Sequence, residues 1–221
     1  MEVERRLTDA LGIKRWAQMV GPSLGGMRVL EWLVAHPERV AAAVVIGTTA
    51  AVGADQIGSH GAQIEAIRSD QGFRGGDYYG AAAGEGPHRG LGVARRIAQL
   101  SYRSRAELEL RFGRSAQVRE DPFAWMDGQA GGRFAIASYL DHHADKLARR
   151  FDANSTIALT QAMSLFPLSQ QEQITALAPG AHDLQIIRSL HGHDGFLVES
   201  DQLGAIVRDA LRICAPPVSP P

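Results

Sequence analysis

One serine held between glycines constrains this chain more than any other feature. Residues Met19 to Val40 read MVGPSLGGMRVLEWLVAHPERV, which is an apolar strand end, a tight turn and then a helix. The turn, Gly21-Pro22-Ser23-Leu24-Gly25, has the spacing G-x-S-x-G. Small residues flanking the serine let the backbone reverse sharply and hold the hydroxyl clear of a sheet. Leu24, Met27, Leu30 and Val34 then recur near helical spacing, and Trp32 and Leu33 widen the apolar stripe. Pro37 ends the helix, and Val40 to Ile46 is an unbroken apolar run, the pattern of a strand buried on both faces. Strand, turn, helix and strand form a βαβ unit. That context separates a nucleophilic serine from an ordinary loop serine.

The 221 residues of the chain allow one α/β domain with an insertion. A net charge of −1 leaves no electrostatic footprint for nucleic acid or an anionic membrane. The single cysteine, Cys214, excludes an internal disulfide and fits a reducing compartment. Met1 to Arg6 carries acidic residues without an apolar core region, so it does not read as a secretory signal, and no run approaches the length of a membrane span. The expected location is cytoplasmic.

Before the serine, residues 2 to 12 suggest a helix with Val3, Leu7 and Leu11 on one face and Gly12 as its stop. Ile13 to Val20 is then the strand leading into the turn. From Thr48 to about Ala162 strand signals vanish, and helical segments alternate with Gly-rich turns such as Arg74-Gly-Gly and Gly84-Glu-Gly-Pro87. Ile57 to Arg68 reads as one helix and Gly92 to Arg103 as another. The second carries Arg95 and Tyr102, seven apart and so on one face. An arginine can grip a carboxylate through two hydrogen bonds and a tyrosine can add a third; spacing alone favours a solvated arginine and a half-buried tyrosine. Asp121 to Asp127 reads as a helix start packing Phe123 and Trp125. Asp141, His142, His143 and Asp145 lack the spacing of a zinc site and read as a structural group, with no metal expected. Arg149 and Arg150 suit a solvated helix end. Asp152 to Met163 reads as a helix, and Ser164 to Leu168 runs directly into another, Ser169 to Ile174. After Pro179-Gly180, Asp183 to Arg188 reads as a last strand. His191, His193 and Asp194 follow on a loop before a final helix, Phe196 to Ile213, and the proline-rich tail Ala215 to Pro221 reads as disordered.

Ser23-Leu-Gly-Gly-Met27, Leu30-Glu-Trp32 and His36-Pro-Glu-Arg-Val40 together resemble the homoserine O-acetyltransferases, a branch of the α/β-hydrolase superfamily that includes serine and homoserine O-succinyltransferase relatives. Four more stretches resemble it in order: Gly75 to Tyr79, Gly90 to Arg95 through Ser101 to Ser104, Ser138 to His143 with Phe151 to Asn154, and Gly192 to Leu197. The likeness covers nearly the whole chain. It implies a partial α/β-hydrolase fold, with an incomplete, mostly parallel sheet and a helical cap insertion. Residues 1–50 and 163–221 would be the core and 51–162 the cap.

The resemblance also implies roles. Ser23 would be the nucleophile and His193, in Gly-His-Asp after the last strand, the general base; Ser before His is the chain order of this fold. The Leu24 N–H would serve the oxyanion, and Arg95, Tyr102 and Asp194 would hold the amino acid. The implied reaction is ping-pong transfer of an acetyl group from acetyl-CoA to L-homoserine, a step of methionine biosynthesis, with no resident cofactor and no metal. Partners would be these small molecules and a second copy of the chain through the cap.

Three departures qualify that picture. In this fold the nucleophile follows the fifth strand, so roughly a hundred residues, at ~30 per βαβ unit, are expected before it; here there are 22. The loop giving the second oxyanion N–H belongs to that part, and losing one such donor lowers the rate on the order of a hundredfold. An apolar strand and an acid should precede Leu165 to Leu168; Met163 and Ser164 stand there, so the orienting carboxylate is assigned to no residue. Pro22 stands where the family has glycine, removing a donor and fixing φ. The isolated chain is therefore expected to be inactive rather than active. Two other readings stay open: an esterase on the same turn, and a non-catalytic remnant whose open sheet edges favour pairing with another chain. Acetyl and succinyl donors are not distinguished.

Overall fold

The stretch around Ser23 folds as strand, turn, helix and strand. In the computed structural model, which describes residues 1–49, 52–118, 120–127, 131–166 and 185–214, β1 (Met19–Pro22) lies parallel to β2 (Ala43–Ile46), and α2 (Leu24–Ala35) connects them through a 3₁₀ turn at Pro37–Arg39. The register runs from Met19 beside Ala43 to Pro22 beside Ile46, and a bridge between Trp16 and Val40 extends it. Met19 N–H donates to Ala42 O and Ser23 N–H to Ile46 O, each at 2.9 Å. Odd-numbered residues thus face β2, and Pro22 aims its missing donor at the other edge. The proline is therefore compatible with the pair.

The chain divides into two compact units. The first comprises Met1–Val52, Leu165–Ser189 and Gly195–Pro221. Its core gathers Met27, Val29, Leu30, Trp32, Val40, Val44 and Ile46. Trp32 is 1% exposed, and its indole N–H donates to Glu4 Oε2 at 3.2 Å. Arg28 also pairs with Glu4, and Arg39 with Asp9 at 2.8 Å, so α1 (Glu2–Ala10) is tied to α2 and its following turn by charge.

Four expectations are corrected in this unit. The Val3, Leu7 and Leu11 face of α1 is 80%, 57% and 62% exposed, so α1 docks through its polar residues and the buried Thr8 instead. β2 alternates rather than being buried throughout: Val44 and Ile46 are buried while Val45 is 36% exposed. Among the described residues the sheet has two strands, so neither has neighbours on both sides as in a wide parallel sheet. Gln185 to Arg188, the described part of the expected last strand, is not paired as a strand. The Arg188 backbone instead exchanges two bonds with the Gln202 side chain, at 3.1 and 3.0 Å. The final helix is interrupted at Glu199, giving α8 (Gly195–Val198) and α9 (Ser200–Cys214). The expected helix Ser169 to Ile174 and the tail Ala215 to Pro221 lie outside the described residues.

The second unit, Gly53–Ser164 with Leu190–Asp194, is helical. It contains α3 (Ala54–Arg68), α4 (His88–Ser101), α5 (Arg105–Arg111), α6 (Ala135–Ala148) and α7 (Ala153–Ser164). α4 packs against both α3 and α6, and α3 also meets α7. Ile67, Phe73, Leu91, Ala94, Ala153 and Ile157 form the core. α3 and α4 begin earlier than their apolar spacing suggests, at Ala54 and His88, and α4 takes Gly90 and Gly92 into the helix and ends at Ser101. At Gly90 a Cβ would stand 2.5 Å from Ala66 O, so this glycine sets how closely α4 approaches α3. Tyr78 fastens the start of α7: its hydroxyl bonds the Asp152 carboxylate and accepts the N–H groups of Ala153 and Asn154 at 3.0 and 3.1 Å. Around Asp121 the expected helix is a 3₁₀ turn, Ala124–Asp127, with Phe123 edge-on to Phe134 at 5.7 Å.

Candidate active site

Ser23 has φ 51° and ψ −125°, a backbone conformation that a non-glycine residue occupies only when its surroundings force it. Those surroundings are visible. A Cβ at Gly21 would lie 2.3 Å from Gly25 O, and one at Gly26 would lie 2.6 Å from Thr48 Cγ2 and 2.9 Å from Gly21 O. The reversal therefore depends on Gly21 and Gly26. Gly25, the second glycine of the sequence motif, has its nearest neighbour at 3.4 Å and is not crowded. Gly26 is the residue the motif did not reveal; the doubled glycine was its only signal.

Ser23 is the N-cap of α2, and its carbonyl accepts from Gly26 N–H at 2.9 Å and Met27 N–H at 3.3 Å. Leu24 occupies the first helical position, where an amide has no acceptor within the helix. That donor, together with the positive end of the helix dipole, is suited to an oxyanion forming beside Ser23.

The second unit brings together residues ninety positions apart in sequence. Arg95 lies with its guanidinium 5.2 Å from the centre of the Tyr102 ring, in cation–π geometry. Tyr102 is the C-cap of α4, and its ring meets that of His193 at 5.9 Å. Asp194 N–H donates to Tyr102 O at 3.3 Å, and Asp194 Oδ2 pairs with Arg103 at 3.3 Å. Arg95 and His193 thus both meet the Tyr102 ring, and Asp194 joins this cluster through its backbone N–H while its carboxylate pairs with Arg103. Such a set can hold a molecule bearing both a carboxylate and an amine.

Sequence reasoning missed Arg103 and Glu107 in this cluster. Glu107 is a buried acid on a helix that gives no other functional signal, and its role is visible only once the loop of His191 folds against it. Burial pushes its carboxyl up, but the contact with His191, the charge of Arg103 and the hydrogen bond from Arg111 outweigh burial and hold it below the usual range. His143, packed edge-on against Tyr139 at 4.6 Å, is held below the ordinary histidine value by burial first and then by Arg95, His142, Arg103 and Lys146. Asp141 pairs with Arg96 at 2.6 Å and Arg133 at 3.2 Å, which gives the Asp141–His143 stretch a structural account. Arg149 and Arg150 are exposed at the end of α6.

Ser164, at the position where an acid was sought, donates from Oγ to Thr160 O at 3.1 Å and lies 2.8 Å from His60 Nδ1. The hydroxyl thus sits between a backbone carbonyl of α7 and the His60 ring of α3 and fastens the two helices together.

Comparison with known proteins gives the same direction. The family described as alpha/beta hydrolase fold matches residues 2–199. The homoserine O-acetyltransferase of Thermobifida fusca is 42% identical over 242 residues, covering 96% of this chain and 62% of the relative. That of Nocardia farcinica is 42% identical over 241 residues, covering 95% and 61%. The chain thus spans about three fifths of the length of the curated relatives it matches. The first alignment runs over 242 positions, whereas 96% of this chain is about 212 residues, so about 30 positions of the relative have no counterpart within it, the size of one βαβ unit. Among solved structures, a homoserine O-acetyltransferase from Bacillus anthracis superposes with a TM-score of 0.76 at 19% identity, covering 95% of this chain and 63% of that one. The esterase E22 superposes at 0.74 with 16% identity, covering 95% and 65%. At those identities the structural likeness concerns the fold.

Proposed function

The chain belongs to the alpha/beta hydrolase fold family, and we propose that its residues are those of an acyltransferase that moves an acetyl group from acetyl-CoA to the side-chain hydroxyl of L-homoserine. The observation that carries this reading is the assembly of Arg95, Tyr102, His193 and Asp194 into one cluster. The strained Ser23 turn and the 42% identity to homoserine O-acetyltransferases support it.

In the proposed reaction His193 takes the Ser23 hydroxyl proton as Oγ attacks the thioester carbonyl. The Leu24 N–H stabilises the oxyanion. The C–S bond breaks, the thiol leaves with the proton from His193, and the acetyl group remains as an ester on Ser23. Homoserine then binds with its carboxylate on Arg95, its amine on Asp194 and a hydrogen bond from Tyr102. Its hydroxyl loses a proton to His193 and attacks the ester, and Ser23 Oγ leaves and recovers that proton. Arginine suits the carboxylate because its planar fork gives two parallel bonds. Residues 51–162 would be the cap insertion, and residues 1–50 and 163–221 the core.

Thiol release from acetyl-CoA, followed with and without homoserine, tests the proposal. Homoserine-dependent release that disappears in Ser23→Ala supports transfer. Release independent of homoserine that still needs Ser23 makes the chain a hydrolase, and no release from folded protein removes the catalytic reading.

A further inference from the structure

Five consecutive loop residues, Leu190 to Asp194, are each fastened to one short segment, Tyr102 to Glu107. Ser104 Oγ donates to Leu190 O. His191 Nδ1 lies 3.2 Å from Glu107 Oε1. Gly192, at φ +62°, presses against the backbone so closely that a Cβ would stand 2.7 Å from Ser104 N and 2.9 Å from Arg103 C. The His193 ring faces that of Tyr102, and Asp194 is held by Arg103 and by Tyr102 O. The loop has no regular sheet or long helix to define it; this segment defines it.

Glu107 links the two ends of that arrangement. Its side chain is 4% exposed, and Oε1 accepts from Arg103 Nη1 at 3.2 Å and Arg111 Nη1 at 3.3 Å, with His191 Nδ1 in contact at 3.2 Å. Its own N–H donates to Ser104 Oγ at 3.0 Å, the hydroxyl that also binds Leu190 O. Through Arg103 it reaches Asp194, and through His191 it reaches the start of the loop. A buried carboxylate is poor value as a source of stability, because its desolvation offsets most of the Coulombic gain. What it supplies is fixed geometry for Arg103 and His191.

We propose that Glu107 is a positioning residue for the amino-acid site: it holds Arg103 and His191 so that Asp194 and His193 present their functional atoms in fixed register to an α-amino acid. The inference rests on the reading of His193 and Asp194 as base and amine ligand, while its structural half can be tested without turnover. Amide hydrogen exchange of residues 190–194 is measured against α4 as an internal reference, in the unaltered chain and in Glu107→Gln, Glu107→Ala and Gly192→Ala. The loop exchanges about tenfold faster in Glu107→Ala, the scale of one lost charge-assisted hydrogen bond, while α4 is unchanged. Glu107→Gln, which keeps an acceptor oxygen without its charge, falls between. In turnover the KM for homoserine rises about tenfold in Glu107→Ala, with partial recovery in Glu107→Gln; a merely structural loss would reduce the active fraction and leave KM alone. Gly192→Ala opens the same contact from the loop side and gives the answer where a Glu107 variant does not fold. Unchanged loop exchange in folded variants, or unchanged KM, overturns the proposal. Faster loop exchange in a chain that never turns over homoserine supports the positioning and removes the acyl-transfer reading.

Discussion

Two adjacent glycines, Gly25 and Gly26, should respond in opposite directions to the same added methyl group. Both lie in the first turn of α2, where alanine is favoured over glycine by up to about 1 kcal/mol. At Gly25 the new Cβ meets nothing nearer than Pro22 Cδ at 3.4 Å, so that gain is retained. At Gly26 it would enter within 2.6 Å of Thr48 Cγ2, 2.9 Å of Thr48 Cβ and 2.9 Å of Gly21 O. Neither the backbone carbonyl nor a Cβ can rotate away, so the turn must open, at the upper end of the about 1–3 kcal/mol seen for overpacking. The net loss for Gly26→Ala is about 1–2 kcal/mol. At about 2–4 °C per kcal/mol for a chain of this size, Tm falls by roughly 2–8 °C, while Gly25→Ala leaves it unchanged or a few degrees higher. Thermal unfolding followed by tryptophan fluorescence reads the difference, since Trp32 is buried in the same unit. Gly26→Ala as stable as Gly25→Ala would refute the claim that close approach at Gly26 holds the Ser23 backbone in its strained state.

In the second unit, Tyr78→Phe removes the one hydroxyl that serves Asp152, Ala153 and Asn154, and should destabilise by about 1–3 kcal/mol, measured as a urea midpoint shift; burial and then the Asp152 bond push this phenol up to about 12, so the loss is independent of pH near neutrality. His60 is held below its ordinary 6.5 by burial, and His143 by burial and its cationic neighbours. Both are thus easier to protonate unfolded than folded, and stability declines as pH falls below about 6.5. A thermal melt series from pH 7.5 downward should show that decline, and His60→Gln should flatten part of it; a Tm flat across this window would contradict the assignment. Glu107 and Asp152, both held low despite burial, contribute stability that is lost only as pH falls below about 4.5, so the two windows separate.

Legibility in the sequence followed how local each signal was. The Ser23 turn was legible because strand, glycines and helix lie within thirty residues and each obeys its own period. That Arg95 and Tyr102 lie on one face was legible because seven residues are two helical turns, whereas the stacking of one on the other was not. Burial was not: the apolar faces of α1 and β2 were readable, but whether anything covers them depends on neighbours that periodicity does not encode. The last strand failed for a similar reason, since Gln202, fourteen residues away, satisfies the Arg188 backbone instead of a strand. Glu107 was invisible because its partners, Arg103 and His191, are separated by most of the second unit's sequence. Gly26 could have been read from its position beside Gly25, but only the approach of Thr48 gives the reason it is there.

The central claim is that Ser23 carries the acyl group. Incubation with acetyl-CoA alone, followed by rapid quenching and peptide mass spectrometry, tests it most directly. The account predicts one added acetyl group on the peptide holding Ser23, absent in Ser23→Ala and discharged when homoserine is added. Folded protein without an acetylated Ser23, or with acetyl on another residue, would contradict it.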